Sequence, residues 1–198
     1  MHQLRDPFPG PVRGDSPMTA LLGDAGQVRG GSEEEPDPVH VEILVCGSPD
    51  RGDDGVACVA APALARRLPA DVHLQIVGQL DIDDLLQVPA GAAAVVVDAA
   101  TGIHPGRVVS LPLDGLVGGG ASVRPRSSHA LAFPEVVGLA ALIRGRPIPG
   151  RIVAIGAVEF TLGAALSKRV GAGIPALVDA VVEAVEQLRR ESPAGARA

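Results

Sequence analysis

Two carboxylates stand side by side in "ILVCGSPDRGDDGVACVAA", residues 43–61, just past Gly47, Pro49 and Gly52. A tight turn needs glycine and proline, but it does not need Asp53 and Asp54 together. Adjacent carboxylates repel unless a cation or hydrogen-bond donors compensate them. One of the pair could cap a helix starting near Gly55, a contribution of ~1 kcal/mol, but a cap does not account for both. Two more groups suit the same chemistry. Asp98 ends the apolar run "AAVVVD", and His129 in "RSSHALAF" opens a segment leading into a helix. Two carboxylates and an imidazole form a mixed oxygen–nitrogen ligand set with open positions. Oxygen ligands alone favour magnesium or calcium, and an added imidazole shifts the preference toward nickel, zinc, cobalt or cadmium. An incomplete ligand set is what a catalytic or metal-sensing site requires, because substrate or water must supply the rest. The competing readings are a hydrogen-bonded structural role for Asp98 and a solvated loop position for His129.

Other chemistries fit less well. Gly47, Gly52 and Gly55 lack the G-x-G-x-x-G spacing, and acidic side chains in the loop would repel a pyrophosphate. There is no G-x-S-x-G nucleophile motif. A phosphoacceptor receiver domain also uses an acidic pair after its first strand and an Asp ending its third. It further needs a lysine ending its last strand, whereas "RIVAIGAVEF" has none and the single lysine is Lys168. Cys46 ends a strand beside the loop, where a thiolate is a further candidate. His104, in "TGIHPG", reads as a turn residue, and His40 and His73 flank strands without an assigned role.

The elements that must position these groups follow from periodicity. Strands are expected at 41–46, 73–78, 93–100, 107–113 and 151–160, as continuous apolar runs suited to burial on both faces. Helical patterns occupy 54–67, 81–87, 133–144 and 173–188, with Asp81 and Asp83 favourably placed in a first turn. This alternation implies a single three-layer α/β/α domain, with a twisted, mostly parallel sheet of about five strands and helices on both faces. Ligands of such sheets gather at the carboxyl ends of strands, near the reversal in strand order. Asp54, Asp98 and His129 are all expected at that edge.

Composition bounds the rest. The chain has 198 residues, 46% of them hydrophobic and only 2% aromatic, enough for one core of Val, Leu, Ile and Ala. A net charge of -6 argues against nucleic acid as partner. No apolar run reaches the ~18 residues of a membrane span, and no secretory h-region is evident. Cys46 and Cys58 read as reduced thiols of a cytoplasmic protein rather than a disulfide framework. Residues 1–38 carry three basic and seven acidic residues, a net of -4, with six prolines and little periodic hydrophobicity. They read as a disordered acidic tail. The domain is expected over 39–190 and a flexible tail over 191–198.

In that order along the chain, "GSPDRGDDGVA", "VVVDAA", "SSHALAFPEVVGLAALI" and "IGAVEFTLGAALS" resemble the hydrogenase maturation protease family. The resemblance covers roughly residues 41–188. It implies an endopeptidase that removes the C-terminal extension of a [NiFe]-hydrogenase large-subunit precursor. The family's acidic residue after strand one, strand-ending Asp and helix-leading His fall on Asp54, Asp98 and His129, which are thereby the implied metal ligands and catalytic groups. The metal implied is the precursor's own nickel, with zinc or cadmium as substitutes. Cleavage would then follow only after nickel insertion, and the expected form is a monomer. The family's G-x-G-N element is replaced here by Val45, Cys46, Gly47 and Ser48, and a glycine often found two past "DDG" is Ala57. These departures raise an alternative, a non-catalytic homologue that binds metal or precursor as a maturation chaperone.

Overall fold

The computed structural model describes residues 39–116 and 131–191. The expected N-terminal tail, most of the expected C-terminal tail and His129 lie outside these residues. Five strands form one sheet: β1 (Val41–Cys46), β2 (His73–Gly78), β3 (Ala93–Ala100), β4 (Val108–Pro112) and β5 (Gly150–Gly156). Their order is β2-β1-β3-β5-β4. β1 runs parallel to β2 and β3, and β3 parallel to β5, while β4 closes the edge antiparallel to β5. This departs from the 2-1-3-4-5 order of receiver-type sheets, which counts against that reading together with the missing lysine.

Among the described residues, four α-helices cover the two faces: α1 (Val56–Arg67), α2 (Ile82–Gln87), α3 (Phe133–Arg144) and α4 (Lys168–Glu191). Strand side chains alternate between the layers. Ile43, Val45, Val95, Val97 and Ile155 pack with α1 and α4. Leu44, Cys46, Ala94 and Val96 pack with α2 and α3 on the opposite face. The three-layer α/β/α arrangement expected from the sequence is therefore present.

Three expectations change. β2 is an edge strand, and Ile76 in it is 57% exposed, so this run is not covered on both faces. β5 stops at Gly156 instead of 160. α4 begins at Lys168 rather than 173, despite Gly171, Gly173 and Pro175. The first of these glycines donates to the Ser167 carbonyl at 2.9 Å. At the second, an added Cβ would come within 2.7 Å of the Gly106 carbonyl oxygen. Close packing thus overrides weak helix propensity here.

α2 is held at both ends. Asp81 accepts from the Asp84 N–H, and Asp84 accepts from the Asp81 N–H. At its C-terminal end the Arg144 guanidinium donates to the carbonyls of Leu85, Leu86, Val88 and Pro89. Arg144→Met keeps the apolar stem and removes these donors to orphaned carbonyls. It is expected to lower stability by about 1–2 kcal/mol, read from the urea unfolding midpoint.

Candidate active site

The reversal in strand order falls at β1, because the chain passes to β2 on one side and returns to β3 on the other. Asp98 lies near the carboxyl end of β3, and the loop after β1 carries Asp53 and Asp54 in a single 3-10 turn, Gly52–Gly55. The expected helix at 54–67 is thus this turn followed by α1. Neither carboxylate caps a helix with its side chain.

The two aspartates have different partners. Asp53 is fully buried. Its Oδ2 accepts from the N–H groups of Val158 (3.1 Å) and Glu159 (3.0 Å) and from the Ser167 hydroxyl (3.1 Å). Its Oδ1 accepts from the Ser167 N–H at 2.7 Å. Burial alone would raise the Asp53 carboxyl, but the bonds from Glu159, Val158 and Ser167 outweigh it and hold the group below its ordinary value. Donors therefore compensate this charge without a cation. The same bonds explain the early end of β5, since Val158 and Glu159 give their N–H groups to Asp53 rather than to a strand.

Asp54 accepts at Oδ2 from the Ser48 N–H at 3.0 Å. The donor is a main-chain group, so the Ser48 side chain, one of the departures noted in the sequence, does not decide this contact. Gly47 sits at φ 105°, where a Cβ would come within 1.9 Å of the Asp54 carbonyl oxygen. Glycine is required by both conformation and space. Gly47 N–H also donates to the Gly78 carbonyl at 2.6 Å, beside a register shift between β1 and β2.

Asp98 accepts from the Ala99 N–H at 2.7 Å. Burial pushes its carboxyl up to about 7; the Ala99 bond opposes this, and the nearby Asp54 carboxylate adds to it. Strand alternation directs Asp98 toward the α2–α3 layer, the side on which α3 begins a few residues after His129. Two of the three candidate ligands thus come together at one sheet edge, and the third lies outside the described residues. Among the described residues, no three His, Cys, Asp or Glu side chains are grouped to hold a metal ion.

The thiols border the same acids. Cys46 is raised well above the ordinary thiol range by burial and then by Asp98, and Cys58 by burial and then by Asp54 and Asp98. Both are free cysteines. Held protonated, neither suits the thiolate role considered from the sequence. His104 sits in a turn, its carbonyl accepting from Arg107 N–H at 2.9 Å. His40 and His73 both contact Glu42 at 2.7 Å, at the opposite end of β1. Sequence reasoning missed the pairing of Asp53 with Ser167, which lies 114 residues away and ahead of a helix expected to begin only at 173.

No protein-family model matches the chain, and no curated protein matches it. Solved structures do. The hydrogenase maturating endopeptidase HybD from E. coli superposes with a TM-score of 0.62 at 18% identity, over 75% of this chain and 93% of that one. The [NiFe] hydrogenase maturation protease HybD from Thermococcus kodakarensis gives 0.56 at 24% identity, over 76% and 99%. The maturation protease HycI from the same organism gives 0.58 at 20%, over 76% and 94%. Residues 39–116 and 131–191 carry the fold of the hydrogenase maturation endopeptidases.

Proposed function

We propose that this protein is a maturation endopeptidase that removes the C-terminal extension of a [NiFe]-hydrogenase large-subunit precursor, using the nickel already held by that precursor. One observation supports the reading: β1 and β3 are neighbours at the strand-order reversal, and Asp54 in the turn after β1 and Asp98 near the carboxyl end of β3 lie at the same sheet edge. Like-charged carboxylates held together favour a cation between them. Likeness to the maturation endopeptidases supports the same conclusion.

In this reading the precursor's nickel is part of the substrate. Asp54, oriented by the Ser48 N–H, and Asp98, which gives up its proton as the cation arrives, supply oxygen ligands. His129 supplies the nitrogen that favours nickel, with zinc or cadmium as substitutes. The cation acts as a Lewis acid beside the scissile peptide. One water is consumed, the C–N bond breaks, and a new carboxylate and a new amine leave. A precursor without nickel presents no cation to the carboxylates and is left uncut.

The test is incubation with nickel-loaded precursor, followed by mass spectrometry of the precursor's carboxyl-terminal end. Loss of the extension is expected with the wild type. Asp54→Asn and His129→Ala are each expected to slow it by about a hundredfold or more, with thermal unfolding little changed. Tight binding without cleavage would instead identify the chaperone described above.

A further inference from the structure

The reading of Asp54 leaves its neighbour without a part in the chemistry, yet Asp53 is the buried charged residue of the described structure. We propose that Asp53 is a positioning residue, which locks the 157–167 segment onto the 52–55 turn and so holds the Asp54 carboxylate in its working direction. The proposal deepens the endopeptidase reading and rests on it for the role of Asp54.

The turn is gripped from two sides. On one side Asp53 accepts four hydrogen bonds, and its own N–H donates to the Glu159 carbonyl at 2.7 Å. Gly52 closes the approach, since a Cβ there would lie 2.8 Å from that same carbonyl oxygen. On the other side Gly47 and Ser48 meet Asp54, and a Cβ on Gly55 would come within 2.8 Å of the Pro49 Cα. Between these two contacts the residue bearing the Asp54 carboxylate has little freedom to rotate. A preorganised ligand loses less entropy when the cation arrives. Asp53→Asn replaces one acceptor oxygen with a donor facing N–H groups, so one side of the grip opens.

Amide hydrogen exchange by NMR on the full chain tests this without substrate. In Asp53→Asn the Ser48 amide, which reports the Asp54 contact, is expected to exchange about tenfold faster, with Val95–Val97 in β3 unchanged. Ser167→Ala, which removes only the hydroxyl donor, is expected to give about a threefold rise, and it decides the matter if Asp53→Asn fails to fold. A Ser48 rate equal to wild type, or a uniform rise at every amide, overturns the proposal. In processing assays Asp53→Asn is expected to lower kcat while leaving KM in place; an unchanged kcat also overturns it. A wild type that cleaves nothing would count against the endopeptidase reading alone, because the Ser48 comparison stands by itself.

Discussion

Asp98→Asn is expected to abolish precursor processing, by about a hundredfold or more, while making the protein more stable at pH 8. The two effects have one origin. Asp98 is held where burial and the Asp54 carboxylate both disfavour its charge, and its carboxyl stands at about 7 against an ordinary 3.8. Between those values the folded chain binds a proton that the unfolded chain does not, so stability falls as pH rises through that window. Above it, the folded state carries an ionised group in an unfavourable setting. Asparagine removes the charge and retains an oxygen for the Ala99 N–H. The variant should gain up to about 4 kcal/mol at pH 8, with the gain shrinking toward zero near pH 4. Urea unfolding of both proteins across that range is the measurement, and a gain independent of pH would contradict this origin. Under the proposed function, such a cost is expected of a carboxylate that a cation later neutralises.

Gly47→Ala is expected to cause the largest loss of stability. The alanine would adopt φ 105° with its Cβ 1.9 Å from the Asp54 carbonyl oxygen, a main-chain atom that cannot swing aside. Strain and displacement together should cost about 3 kcal/mol or more. Processing should fall even in the folded fraction, because relief of the clash moves the residue carrying the proposed ligand. Gly145 and Gly163 provide the contrast: both have positive φ, yet an added Cβ meets nothing within 4 Å. Alanine there should cost only about 1 kcal/mol and leave cleavage unaffected. Equal losses at Gly47 and Gly145 would show that the close approach to Asp54 is unimportant.

Much of the fold was legible in the sequence. β1, β2, β3 and α3 occupy the expected residues, because each is a dense apolar or periodic run bounded by turn-forming residues. Asp98 was legible as the acid closing such a run, and Asp54 as the acid before a helix. The boundaries at the end of β5 and the start of α4 were not. Both depend on Asp53, which takes two N–H groups that a strand would have used and holds Ser167 at the head of the helix. Local pattern carries no trace of a partner 114 residues away. The adjacent carboxylates posed a question that sequence could state, and only the three-dimensional pairing separates the acid held by four donors from the one held by a single main-chain N–H.

That separation along the chain has a consequence for biosynthesis. β1, β2 and β3 can pair once the ribosome has released the first hundred or so residues, since their contacts span modest loops. The seat of Asp54 closes only when Ser167 emerges. A nascent product lacking Ser167 would therefore display its acids unseated, so the proposed site is assembled only after that residue has been made.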